Sequence, residues 1–132
     1  MPCLSPTEQL IAAIEAALAA LPPGPAIVGY SGGMDSSLLL HCAARSERVR
    51  GRGLRALHVH HGLHPDADAW AAHARTRAQA LGIACDVVRV RVDPRGQGIE
   101  AAAREARLAA FAEALSGGGA MLLAHHQDDQ AE

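Results

Sequence analysis

Four short apolar stretches, 25–30, 54–60, 84–92 and 120–124, are separated by segments that read as helices, and this alternation restricts the fold more than any other feature. Strands alternating with helices of this length build an α/β fold, a parallel sheet with helices on both faces. Its crossovers should be right-handed. Ligands of such sheets bind beyond the carboxyl ends of the strands, where the strand order reverses. Three polar clusters, 31–37, 58–64 and 125–132, fall directly after strands. They are expected to meet at one edge of the sheet.

Local signals fill in the remaining elements. Ser5-Pro6-Thr7-Glu8 offers a helix cap, a proline in the first turn and an early acid. Leu10, Ile11, Ile14, Leu18 and Leu21 then recur at helical spacing until Pro22-Pro23-Gly24-Pro25 stops the helix. A second helix runs to about Arg45 with Leu38, Leu39 and Cys42 inward, and 45–53 reads as a charged loop broken by glycine. A third starts near Asp66, passes Trp70 and closes at Leu81, with Gly82 beyond its end. In 84–92, Val88, Val90 and Val92 alternate with Arg89 and Arg91, as in an edge strand with one solvated side. A loop at 94–98 leads to a helix over 99–115, and 120–124 reads as a short, wholly buried strand.

The turn after the first strand carries the sharpest chemistry. Gly32 and Gly33 allow turn conformations closed to other residues and let an anion approach the backbone amides. The helix that follows begins with unpaired N–H groups and a partial positive charge, and Ser31, Ser36 and Ser37 can add hydroxyl donors. A Walker loop would need a lysine here, and the chain has none. The anion must therefore be held by amides and hydroxyls. Asp35 would repel a phosphate unless a divalent cation bridged the two, so Mg²⁺ at Asp35 is expected. The plainer reading is an ordinary turn with Asp35 as a first-turn helix acid.

Composition narrows the class. A chain of 132 residues is one domain with room for a real core, and 49% apolar with 20% charged residues fits a soluble globular protein. No apolar run reaches membrane-spanning length, and Met1-Pro2-Cys3-Leu4-Ser5 lacks the basic lead of a signal peptide. Cys3, Cys42 and Cys85 are scattered, which argues against a zinc ribbon or redox pair and for reduced thiols in the cytoplasm. All twelve basic residues are Arg, and a net charge of −2 leaves no basic footprint for nucleic acid.

The other clusters have plain and sharp readings. His58 and His60 share a sheet face, but His58, His60, His61 and His64 lack the carboxylate or cysteine that would complete a usual metal set. Lining a nucleotide pocket is the alternative, with His64 at the surface. Glu100, Arg104 and Arg107 form one helical stripe, most simply an intrahelical Glu–Arg pair and more sharply an Arg reaching phosphate or RNA. If a helix begins near His126 or Gln127, Asp129 and Glu132 share a face and could hold Mg²⁺ or an ammonium group.

Ser31-Gly32-Gly33-Met34-Asp35-Ser36 resembles the Ser-Gly-Gly-x-Asp-Ser signature of the N-type ATP pyrophosphatases, the PP-loop superfamily. With His58-Val59-His60-His61-Gly62-Leu63, with Glu100, Ala103-Arg104 and Arg107, and with His125-His126-Gln127-Asp128-Asp129-Gln130 ahead of Glu132, it is similar to the tRNA(Ile)-lysidine synthetase family. The resemblance covers nearly everything from about Ala26 onward, with Leu108 standing where the family usually has an aromatic residue.

It implies a Rossmann-like PP-loop fold and an N-terminal ATP-binding domain, incomplete at its C-terminus and without the family's tRNA-binding domains. It also implies a ligase that uses ATP to join free lysine to the wobble cytidine of tRNA(Ile) with a CAU anticodon. The base oxygen attacks the α-phosphate, pyrophosphate leaves, and the lysine amine displaces AMP. Ser31, Gly32, Gly33, Met34, Asp35, Ser36, Ser37, His58 and His60 would hold ATP, with Asp35 on Mg²⁺. Asp129 and Glu132 would bind the lysine. Asp35, Asp129, Arg104 and Arg107 would be catalytic, the arginines on phosphate or tRNA. A homodimer is left open. The alternatives are another PP-loop enzyme, such as a tRNA thiolase or amidotransferase-type synthetase, or a non-catalytic ATP-binding module.

Overall fold

The computed structural model describes residues 5–31, 34–62, 65–92 and 98–124. It forms α1 (Pro6–Ala19), β1 (Ala26–Gly29), α2 (Met34–Ala44), α3 (Glu47–Gly51), β2 (Leu54–His60), α4 (Ala67–Ala80), β3 (Ala84–Arg89), α5 (Ile99–Ala114) and β4 (Ala120–Leu123). The four strands make one parallel sheet in the order β3-β2-β1-β4.

Strand alternation divides the core into two layers. Ala26 and Val28 of β1, Leu54 and Ala56 of β2, and Ala120 of β4 pack with residues of α1, α2, α3 and α4. Their neighbours Ile27, Leu57, Met121 and Leu123 pack on the opposite face against Phe111 of α5. The physical reason is the period of two along a strand. Successive crossovers through α2 and α4 run outward from β1, whereas the one through α5 returns past β1 to β4. Reversal of direction with constant handedness moves a helix to the other face. The switch of strand order therefore lies between β1 and β4.

Capping secures the helix ends. Ser5 accepts from the Glu8 N–H at 3.1 Å while Glu8 accepts from the Ser5 N–H at 3.2 Å, the reciprocal box expected at the start of α1. Arg52 closes its other end, donating to the carbonyls of Leu18, Pro22 and Gly24 at 2.7, 2.7 and 3.0 Å. Gly82, with φ of +75°, follows α4 as expected, but the Asp66 side chain makes no capping bond at its start.

Several expectations are corrected. The segment 45–53 contains α3, whose cap Ser46 accepts from the Val49 N–H at 3.2 Å and bonds Glu15 of α1. Five residues are too few to show a period in the sequence. Leu38 is 48% exposed, because α2 buries the stripe Ser36, Leu39, Leu40 and Ala43, with Cys42 beside it. Leu21 lies beyond the end of α1 and is exposed. The strand expected over 84–92 ends at Arg89, although Val90 still donates to the His60 carbonyl at 3.0 Å; it does lie at an edge. β4 is not wholly buried: as the other outer strand of the described sheet, it has neighbours on one side alone, and three of its four residues are half-buried. The loop at 94–98 lies almost entirely outside the described residues, as does the acidic cluster 125–132.

Candidate functional site

A cleft of about 930 Å³ opens at the carboxyl ends of β1, β2 and β4, where the strand order reverses. Its polar walls come from three segments far apart in sequence: Tyr30, Ser31 and Met34 to Ser36; His58 to Gly62; and Glu100, Arg104 and Arg107 on α5. Ala67 and Trp70 of α4 and Leu123 at the end of β4 add apolar surface. Each polar segment is delivered by a strand end or by α5, the helix that crosses on that face.

The first wall is built by the turn after β1. Tyr30 is buried and its N–H donates to the Leu57 carbonyl at 2.8 Å, which holds the chain to β2 just before Ser31. The Ser31 and Ser36 hydroxyl oxygens lie 3.1 Å apart across the turn, and Asp35 sits half-buried beside them. Ser37 does not line the cleft; its hydroxyl donates to that of Tyr30 at 3.4 Å. Gly32 and Gly33 lie outside the described residues.

His58 and His60 do share a face and are both 6% exposed. His58 Nδ1 is 2.9 Å from the Tyr30 carbonyl, an acceptor, so that nitrogen carries the hydrogen. His60 Nε2 is 2.8 Å from Asp68 Oδ1, and Arg89 donates to the same oxygen at 3.1 Å. The hydrogen bond from His60, then that from Arg89, holds the Asp68 carboxyl below its ordinary range. Both histidines are thus held by protein partners, and among the described residues no three His, Cys, Asp or Glu gather around a metal position.

His61 differs. Its Nε2 is buried and has no hydrogen-bond partner among the described residues. Burial pushes its pKa below the usual histidine value; the nearby Ala103 carbonyl opposes this, and the charges of Arg107, His58 and His60 add to it. An orphaned polar atom in a cleft wall is where a ligand group can bond.

Asp35, Ser31, Met34, Ser36, His58, His60, Arg104 and Arg107 all line the cleft, as does Glu100 of the same α5 stripe. Asp129 and Glu132, like His64, lie outside the described residues. Sequence reasoning grouped His61 with the histidines at the end of β2, weighed as metal ligands or as pocket lining, but gave it no role of its own, and it named none of the apolar walls Trp70, Leu108 and Phe111 as site residues. The signal for His61 was its place one residue past β2, on the α5 side of the strand. The apolar residues gave none beyond ordinary helix periodicity. An oxygen-donor set of one carboxylate with hydroxyls suits Mg²⁺, which commonly takes one or two carboxylates and completes its shell from phosphates and water.

The PP-loop domain profile matches residues 6–132. The chain belongs to the PP-loop family. A tRNA(Ile)-lysidine synthase from Xanthomonas axonopodis pv. citri is 61% identical over 116 residues, covering 87% of this chain and 26% of that protein. Proteins of the same name from Alkalilimnicola ehrlichii and Pseudomonas syringae pv. tomato are 57% and 53% identical over 114 and 106 residues, covering 83% and 80% of this chain. This PP-loop chain spans about a quarter of the length of these relatives. No helix among its described residues is long and apolar enough to cross a membrane.

Proposed function

We propose that this PP-loop chain is the ATP-binding part of a cytoplasmic ligase that joins free lysine to the wobble cytidine of tRNA(Ile), releasing pyrophosphate and AMP. The observation that carries the reading is one cleft at the sheet's switch point, lined by the Ser31 turn, the buried histidines and the α5 arginines, in a chain 61% identical to a tRNA(Ile)-lysidine synthase.

Phosphoryl transfer requires positioning and charge stabilisation more than a protein nucleophile. Ser31, Ser36 and the amides at the start of α2 would hold the leaving pyrophosphate, with Gly32 and Gly33 completing the turn. Asp35 would hold Mg²⁺, which neutralises phosphate charge. Met34, His58 and His60 would line the nucleotide, Arg104 and Arg107 would stabilise charge on the transferred phosphate or meet tRNA, and Asp129 and Glu132 would bind the lysine.

Thiol chemistry has less support. Among the described residues the cysteines are Cys42 in the core and Cys85 on β3; neither lines the cleft, and burial pushes both thiols up, away from the reactive thiolate, while Cys3 lies outside the described residues. That weighs against a thiolating relative.

Incubation with ATP, Mg²⁺, labelled lysine and a tRNA(Ile) transcript bearing a CAU anticodon tests the reading. The enzyme containing this chain should incorporate label and release pyrophosphate when that tRNA is present; ATP affinity without turnover on any tRNA would leave a binding module instead. Asp35→Ala should abolish pyrophosphate release with an unchanged circular dichroism spectrum. Retained turnover would remove Asp35 from its role.

A further inference from the structure

Trp70 occupies the first turn of α4 and lines the cleft with its indole 50% exposed. It is not alone. Met34 at 87% and Leu108 at 51% line the same cleft, so three of the six large apolar side chains exposed among the described residues surround one opening. Apolar exposure gathered in this way marks a binding surface, whereas scattered exposure does not.

The first turn of α4, which carries the indole, is tied to the sheet. Two residues earlier, Asp68 accepts from His60 of β2 at 2.8 Å and from Arg89 of β3 at 3.1 Å, and the backbone N–H of Trp70 donates to the Asp66 carbonyl at 2.9 Å. A large flat side chain on a fixed turn, at the lip of a cleft that also presents the guanidinium groups of Arg104 and Arg107, offers a π-face for a base and charge for its phosphate.

We propose that Trp70 is the platform on which the RNA base entering the cleft stacks. The inference rests on the ligase reading above and goes beyond it by naming how the RNA is received. Position decides between the base of RNA and that of free ATP. A free nucleotide can be drawn wholly inside, but a base in a polymer arrives from solvent with its neighbours still outside. Its stacking partner must therefore stand at the mouth, half in water, as Trp70 does. Unpaired bases splayed onto aromatic side chains are the common mode of single-strand RNA recognition. Stacking tolerates every base, so Trp70 supplies affinity while the choice of base falls to polar groups deeper in the cleft.

Trp70 is the only tryptophan of the chain, so its fluorescence reports the contact directly. The chain is titrated with an RNA hairpin carrying an unpaired loop cytidine, with the same hairpin abasic at that position, and with ATP and Mg²⁺ alone. The first should quench the emission, the second should not, and ATP should leave it unchanged. In fluorescence anisotropy with labelled hairpin, Trp70→Phe should bind within about twofold of the parent and Trp70→Ala should weaken binding roughly 5- to 150-fold, the range one base–aromatic stack supplies. Quenching by ATP alone, equal quenching by the abasic hairpin, or undiminished binding by Trp70→Ala would overturn the inference. Uptake of labelled ATP with emission silent to every RNA would overturn it too, yet leave the ATP-dependent reading standing. Loss of both ATP and RNA binding would bring down that reading and the inference together.

Discussion

Replacing His58 by phenylalanine separates the hydrogen bond beneath the cleft from the volume that fills it. His58 is 6% exposed, and its Nδ1 donates to the carbonyl of Tyr30, itself 3% exposed, at 2.9 Å. Phenylalanine keeps the ring and removes the donor. The Tyr30 carbonyl then loses that partner where water cannot replace it, a cost of about 1–3 kcal/mol. With a urea m-value of about 2 kcal/mol/M, the unfolding midpoint should fall by about 0.5–1.5 M at unchanged slope. His41→Phe, on the exposed side of α2, is the control and should stay within about 0.5 kcal/mol of the parent. Because Tyr30 immediately precedes Ser31, ATP affinity measured by calorimetry should fall in the His58 variant as well. A midpoint within about 0.2 M of the parent would refute the argument that this bond anchors the turn.

Gly119 has a φ of +114°, and a Cβ there would lie 2.5 Å from the Pro25 carbonyl oxygen that receives the Ala120 N–H. Gly119→Ala should therefore lower the thermal midpoint by more than about 5 °C, and an unchanged midpoint in calorimetry would contradict the close approach of β1 and β4. The pKa of His61 is depressed in the folded chain, so below the unfolded value of about 6.5 the unfolded state takes up the proton first. Its contribution is fully present above that pH and is lost as the pH falls. Urea midpoints between pH 8 and 5 should drop more steeply for the parent than for His61→Phe, and parallel curves would count against burial as the cause. Asp68 is depressed as well, so its ties to His60 and Arg89 should persist above about pH 4 and be lost below it. An Asp68→Asn variant should therefore differ from the parent in Trp70 emission at pH 6 and converge with it under acid, and identical spectra throughout would contradict the tie between α4 and the sheet.

Local chemistry determined a good deal by itself. The Ser5 box, the glycine beyond α4, the proline stop after α1 and the period of each long helix are set by interactions within a few residues, so the alternation of strands and helices was legible in the order of amino acids. The Ser31 to Ser37 segment stood out for the same reason, since its small residues gather in one contiguous motif running from just after β1 into α2, and the Ser31 and Ser36 hydroxyl oxygens lie 3.1 Å apart. Tertiary structure decided the rest. Which of Leu38 and Leu40 is buried depends on where α1 packs, and α3 exists because Val49 finds the core and Ser46 finds Glu15. The side chains of His58 and His60 have one pattern in sequence, yet one is held by the Tyr30 carbonyl and the other by a carboxylate on α4. Trp70 and Arg107 lie 37 positions apart and line one cleft because α5 crosses on the face opposite α4. Such meetings depend on sheet order, which long-range packing sets and no local period encodes.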